Sequence, residues 1–438
     1  MRNIIMALNR IKFLHNIDID LTLILKGAGF SFVAKLLTSI LGLITGVVIA
    51  RGYGPEITGL TALTISAISM LSLLGMLGSN VVLLKIIPAE KAAAYSIFRK
   101  AIINTIVQSM IFSFVLYLLR NQLVGYYPKD IVYSLIAGLI FFSVYSMTSC
   151  FFRATGDINA YTANQLIPSI IRFFSIVIAA YHIDSHYFPA YLSVSIPVLG
   201  AVVSCLYISI KYKGFNLKSH FGNIYMLKIG VVMFLSEAMY VIVSNIDLLM
   251  IGGVLGKDDA GIYSISTSFV MILLFLTTAL QSFAAPKFAE LYAENNIDRL
   301  NKLVKKISKI SFSVTLVPAF ILIIFSESIL SFLYGEEFIR GSNVMILLAI
   351  AILIKSSCGL TDMFLNMTGG HQAQLFIALF SCAINVIGNY ILIPYCGIIG
   401  AAIATSFSIF LWSIISVIYI YIKHGFIMMY LPRLPFKS

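Results

Sequence analysis

The chain has 438 residues, of which 60% are hydrophobic and only 11% charged, and its mean hydropathy is +0.97. A soluble globular domain carries about 25% charged residues, so a water-soluble fold is excluded because too little polar surface exists to cover such a core. The net charge of +12 would suggest nucleic acid in a soluble protein; in a membrane protein the cytoplasmic excess of Lys and Arg accounts for it, and no nucleic-acid partner is expected.

In chain order, residues 1–26 mix Arg2, Arg10, Lys12, Asp18 and Asp20 with short apolar pieces. They lack the small-residue cleavage site of a secretory leader and read as an amphipathic cytoplasmic lead-in. Apolar runs then predict spans at 28–50, 58–84, 101–119, 131–152, 161–181, 189–210, 229–254, 260–284, 310–325, 343–365, 375–393 and 398–422. At about 20 residues per crossing, roughly twelve spans use up the chain and leave little for a catalytic domain. Only helices or closed barrels satisfy the backbone in lipid, so the expected fold is an all-α polytopic membrane protein. Pro168, Pro197, Pro318 and Pro394 lie in or beside spans and allow helices to bend. With the N-terminus in the cytoplasm, 22 of the 30 Lys and Arg fall in cytoplasmic segments and 5 in outside loops. This bias places both termini in the cytoplasm.

Three further segments need a reading. The loop holding His182, Asp184 and His186 has the residue types of a zinc site, but it reads as a solvated loop and no metal site is expected. Residues 287–309 have helical periodicity and six basic residues (Lys287, Arg299, Lys302, Lys305, Lys306 and Lys309), as expected of an amphipathic helix on an anionic leaflet. Tyr126, Tyr127, Tyr187 and Trp412 suit interfacial anchoring. The five cysteines are scattered with no CxxC pair, so neither a disulfide framework nor a zinc cluster is suggested.

An internal repeat is visible. VVIARGYGPEITGL carries Gly54 and Gly59, and LMIGGVLGKDDAGI carries Gly256 and Gly261, each offset by 202 positions. A second echo pairs FFRATGDINAY with FLNMTGGHQAQ, setting Thr155-Gly156 against Thr368-Gly369. The expected organisation is a six-helix lobe over 1–210, a basic cytoplasmic linker over 211–228 and a second six-helix lobe over 229–438. Parallel repeats of this kind build transporters with a site at the interface of the halves.

Six ionisable residues fall inside spans: Lys35, Arg172, Glu237, Asp247, Lys355 and Asp362. Each costs about 2.5–3.5 kcal/mol at a span centre, so each is expected to face a bundle interior or wet cavity. Helical spacing groups Lys35 with Thr38, Gly42 and Thr45; Arg172 with Gln165 and Ser169; Asp247 with Glu237 and Ser244; and Lys355 with Gly359 and Asp362. One cavity between the lobes would satisfy all four faces. A mutual salt bridge is the competing account of Lys355 and Asp362, and snorkelling is that of Arg172.

The segments ARGYGPEITGL (50–60), FRATGD (152–157), NIDLLMIGGVLGKDDAGIYSIS (245–266) and IPYCGIIGAAIATS (393–406) resemble the polysaccharide flippases of the multidrug/oligosaccharidyl-lipid/polysaccharide exporter superfamily. The O-antigen repeat-unit flippase branch, called Wzx-like, is the nearest, and the similarity covers nearly the whole chain. The resemblance implies two six-helix lobes in a V around a central cavity in a bacterial inner membrane. It implies transfer of an undecaprenyl-pyrophosphate-linked oligosaccharide from the cytoplasmic to the outer leaflet. Membrane lipids and other polysaccharide-assembly proteins would be partners, and no cofactor is called for.

With such a cargo, Lys35, Arg172 and Lys355 would offset phosphate charge, Arg172 as a fork and the lysines as point charges. No GxxxxGK[ST] nucleotide loop occurs, so an ion gradient is the expected energy source. Glu237, Asp247 and Asp362 are the expected H+ or Na+ carboxylates, while Asp247 could instead serve packing at a lobe hinge. The alternatives are a cation-coupled multidrug exporter of the same superfamily, which would favour an acidic or aromatic cavity, and a lipid II flippase, which usually has fourteen spans. A membrane polymerase or ligase is a further alternative, but such enzymes need a large outside loop that this chain lacks. No enzymatic chemistry is expected.

Overall fold

The computed structural model describes residues 21–88, 90–182, 187–213 and 223–430. Its order is α1 (Leu21–Met76), α2 (Ser79–Ile86), α3 (Ala94–Leu118), α4 (Lys129–Thr155), α5 (Ile158–His182), α6 (Phe188–Tyr212), α7 (Asn223–Val254), α8 (Lys257–Ala293), α9 (Ile297–Ile324), α10 (Ser326–Tyr334), α11 (Ser342–Ser357), α12 (Thr361–Met367) and α13 (His371–His424). No strand occurs among the described residues, and eight helices there are long and apolar enough to cross a bilayer. Residues 1–20 of the expected 1–26 lead-in, most of the 211–228 linker and the His182/Asp184/His186 side chains lie outside the described residues, and 21–26 belong to α1.

Two long helices are broken where glycine takes a left-handed conformation, at Gly54 (φ 78°) in α1 and at Gly397 (φ 58°) in α13. Each therefore carries two of the expected spans. The span expected over 58–84 is also interrupted. Leu77 (φ 40°) and Gly78 (φ 78°) end α1 and start α2, a break that hydropathy alone does not register. The expected surface helix over 287–309 is corrected in the same way. Asn295 (φ 54°) turns the chain, and the Asn296 side chain caps α9 by accepting from the Arg299 N–H at 3.2 Å. The segment is thus the end of α8 and the beginning of α9, two long helices rather than one short one.

Both sequence echoes have a structural counterpart. Gly54 and Gly256 (φ 99°) start the second arm of α1 and α8 respectively. Gly59 and Gly261 then bring those helices into backbone contact. A Cβ on Gly59 would overlap the Lys257 carbonyl, and one on Gly261 the Pro55 carbonyl. Gly156 (φ 73°) and Gly369 (φ 75°) each close a helix, where the preceding Thr155 and Thr368 hydroxyls donate back to the carbonyls of Phe151 (3.0 Å) and Phe364 (2.9 Å).

We call the end of the bundle that carries Arg153 and Lys211 the basic end. At the opposite end the halves are tied by Glu56 to Lys257 (3.4 Å). Arg51 adds a tie, its Nε donating to the Leu333 carbonyl at 2.8 Å and its Nη2 to that of Phe332. These are the unsatisfied carbonyls at the end of α10, where a cation also complements the helix dipole. Buried apolar clusters fill both ends of the first half (around Leu60 and Ile131, and around Ile97 and Phe151) and both ends of the second. The polar residues of interest lie between these clusters.

Candidate substrate cavity and ion site

A cavity of about 300 Å³ lies between the halves, walled by Thr38 and Thr45 of α1, Ser169 and Arg172 of α5, and Ser264 and Ser268 of α8. Its hydroxyls tolerate a membrane interior because they bond to their own helices. Thr38 donates to the Ala34 carbonyl (2.9 Å), Thr45 to that of Leu41 (2.6 Å) and Ser169 to that of Gln165 (2.9 Å). This back-bonding leaves few donors free. Arg172 supplies them. Its Nη2 donates to Ser193 Oγ on α6 at 3.1 Å, while its Nε is buried without a partner among the described residues. Thr61 Oγ1 on the α1 wall is likewise buried and unpartnered. Among the described residues the lining contains no carboxylate, and its one formal charge there is the guanidinium. Lys35 stands one turn from Thr38 on the same stripe and is exposed; it is not part of the lining.

A second cavity, of about 240 Å³, lies within the second half and includes Asp247, Tyr263, Lys355, Asp362, Thr405 and Trp412. At one side the buried Asp247 carboxylate accepts from Tyr263 OH (3.0 Å), Asn389 Nδ2 (2.5 Å) and Thr405 Oγ1 (2.5 Å). Asn385 knits this shell together, its Nδ2 donating to Thr405 Oγ1 (3.0 Å) and its Oδ1 accepting from Asn389 (3.2 Å). Asn389 Oδ1 and Ser381 Oγ are buried without partners among the described residues. None of the ion pairs among the described residues involves Asp247. At the other side Lys355 and Asp362 pair at 3.4 Å, the Trp412 indole N–H donates to Asp362 at 2.7 Å, and Lys355 Nζ sits 5.5 Å from the Trp412 ring centre.

The polysaccharide biosynthesis protein family profile matches residues 24–292, more than half of the chain. The chain belongs to this family. A second profile, MatE, matches residues 233–391 of this chain. It is similar to the capsular polysaccharide biosynthesis protein CapF of Staphylococcus aureus, 26% identical over 50% of this chain and 56% of that protein. It is also similar to Agl15 of Haloferax volcanii, a probable low-salt glycan biosynthesis flippase, 28% identical over 38% of this chain and 35% of that protein. The chain thus spans about half of the first relative's length and about a third of the second's. Among solved structures it shares its fold with an inward-facing multidrug resistance MATE transporter of the MOP superfamily (TM-score 0.70, 15% identity, 89% of this chain and 94% of that one). It shares it too with a MOP-superfamily transporter from Pyrococcus furiosus (TM-score 0.60, 15% identity, 92% and 95%).

In this polysaccharide biosynthesis protein the intramembrane charges do not gather in one cavity. Helix α8 separates them: Ser264 and Ser268 face the Arg172 cavity, while Tyr263 and Thr267 face that of Asp247. Lys355 and Asp362 meet, but not as neighbours on one continuous helix. Gly359 (φ 71°) packs its bare Cα against Ser308 and breaks the helix between them. Arg172 reaches Ser193 of α6 instead of extending to the membrane surface. Trp412, expected at an interface, faces the second cavity. The Glu237 side chain lies outside the described residues. Tyr263, Asn385, Asn389 and Thr405 escape the sequence reading because uncharged residues carry no intramembrane alarm. The i,i+4 pair Asn385 and Asn389 on an apolar span was the available signal.

Proposed function

We propose that the protein is a flippase that moves a lipid-linked, pyrophosphate-bearing oligosaccharide from the cytoplasmic to the outer leaflet, driven by a cation bound at Asp247. The observation that carries the reading is the cavity between the halves, where among the described residues Arg172 is the one charged group and the polar lining is otherwise Ser and Thr hydroxyls. A cationic drug would gain nothing from such walls, whereas a phosphate gains a charge-assisted hydrogen bond from a guanidinium that retains a free N–H. Few free donors make the grip weak enough for the cargo to leave. Lys35, exposed beside the cavity on the side of the basic end, is a first contact for the headgroup. Lys355, neutralised by Asp362, becomes available to phosphate only when that pair opens.

Asp247 suits ion coupling because a buried carboxylate needs a counter-charge. Three neutral donors hold the carboxylate where H+ or Na+ would bind, and Ser381 lines the same cavity. The basic end faces the cytoplasm in this reading, as the distribution of Lys and Arg requires. The protein performs no covalent chemistry; its work is alternating access between halves related by the repeat.

The experiment is surface-glycan display in cells whose only copy of the protein is a variant. Arg172→Ala should cut polymer roughly tenfold or more, the worth of one charge-assisted hydrogen bond in a dry site, and Arg172→Lys should restore part of it. Normal polymer with Arg172→Ala at normal protein level would remove the cavity from the mechanism.

A further inference from the structure

A third cavity, of about 430 Å³, lies outside the bundle core between α5 and α6. It opens sideways through residues that are themselves exposed, Ile167 (54%), Leu199 (59%) and Val203 (65%). Its depth comes from small residues, Ala163 and Gly200, and a Cβ on Gly200 would stand 2.7 Å from the Tyr145 ring. At its floor the Asn164 side chain is spoken for, with Nδ2 donating to Ser149 Oγ and Oδ1 accepting from Ser204 Oγ, both at 2.7 Å. Tyr145 OH donates to the Asn164 carbonyl at 2.5 Å. Beyond the exposed Asn159 at one end, an occupant therefore meets apolar contact and an Asn164 side chain already paired, the environment of a hydrocarbon chain.

The groove's length and ends narrow the occupant further. It runs along α5 from Asn159 to Ile171, about 18 Å at the helical rise, which is roughly one leaflet of a 30 Å hydrocarbon core. One mouth is at the basic end. There Arg153 is exposed, and Lys211 is held by Asp157 at 2.7 Å, with Nζ 5.2 Å from the Tyr207 ring centre. Arg153, Lys211 and Lys213, which follow the lining residues Phe152 and Tyr207 in the chain, outnumber Asp157 and give this end a net positive charge, complementary to a phosphate headgroup. The far end stops at Ile171 and Ile196, beside the Arg172–Ser193 bond that forms part of the central cavity's wall.

We propose that this groove seats the isoprenoid tail of the cargo lipid while its phosphate rests at the basic rim, before the headgroup passes Arg172. The assignment rests on the flippase reading above, and it places the tail on the outer face of α5 while the sugar travels on the inner face.

The test uses the full chain in nanodiscs doped with a polyprenyl phosphate that carries a diazirine on its tail, and, separately, with a phosphatidylglycerol that carries one on its acyl chain. Illumination and peptide mapping should place the polyprenyl label within 159–171 and 196–207, about tenfold above the phosphatidylglycerol label at equal mole fraction. Val203→Trp and Leu199→Trp each add bulk at a lipid-exposed position and should lower the polyprenyl label about tenfold, with unchanged size-exclusion profile and melting temperature. Equal labelling by the two lipids would make the groove an ordinary annular site and overturn the proposal, as would label elsewhere or full label in both tryptophan variants. Arg172→Ala separates the two readings: groove label that persists while glycan display is normal sinks the cavity mechanism alone.

Discussion

Asp247 and Asp157 show how differently one residue type is used in this protein. Asp247 is buried and, among the described residues, bonded by neutral donors, so a cation that binds there should stabilise the fold by mass action. Wild-type protein should melt higher in sodium chloride than in choline chloride if Na+ is the ion, or lose its pH-dependent stabilisation in Asp247→Asn if H+ is. An Asp247→Asn protein that keeps the full ion response and full gradient-driven uptake would exclude the site from coupling. Asp157 lies between α4 and α5, outside the spans. Burial pushes its carboxyl up, but hydrogen bonds from Lys211, Tyr212 and the Ala160 N–H outweigh this and hold it below the usual carboxylate range. A lowered pKa contributes stability that is complete above the unfolded value and is lost as pH falls through the folded one. The melting temperature of Asp157→Asn should therefore lie below wild type at neutral pH, and the gap should close below about pH 4. A gap independent of pH would show that packing, not charge, carries the effect.

At the scale of elements, the two repeats meet through glycine. Gly59 and Gly261 let α1 and α8 touch backbone to backbone, a contact that alanine forbids by overlap rather than by conformation. Gly59→Ala or Gly261→Ala should destabilise this closed arrangement by about 1–3 kcal/mol and raise thiol labelling of a cysteine placed at Glu56. Unchanged labelling in both would mean that the helices accommodate the extra carbon by sliding. The repeat itself was legible from residue spacing, because a left-handed turn and a close approach both demand glycine. The helix breaks at Leu77 and at Gly359 were not legible as breaks. Hydropathy averages over them, and only Ser308 packing against Gly359 gives the second break its purpose in positioning Lys355 and Asp362.

For the whole molecule, the halves are joined at the end opposite the basic one by Glu56 with Lys257, by Arg51 with the end of α10, and by Tyr334 OH donating to the Leu43 carbonyl at 3.3 Å. At the basic end α2 packs on α7. The alternating access proposed above would need each set of contacts to part in turn. A Glu56→Cys/Lys257→Cys protein treated with a bifunctional thiol reagent should lose transport and regain it when a cleavable spacer is cut. Undiminished transport by the cross-linked protein would show that this end never opens. The sequence by itself determined a helical membrane protein of two related halves, because hydropathy, charge bias and glycine spacing are local quantities that any fold of the chain must respect. It also named Arg172, Asp247, Lys355 and Asp362 as costly to bury. Only the tertiary structure decided their company. Whether a charge faces a cavity, a neutral shell or an opposite charge depends on residues such as Ser193, Asn389 and Thr405, which lie 21, 142 and 158 positions away in sequence. Their polar groups carry no charge, and they acquire a function only where folding places them against one.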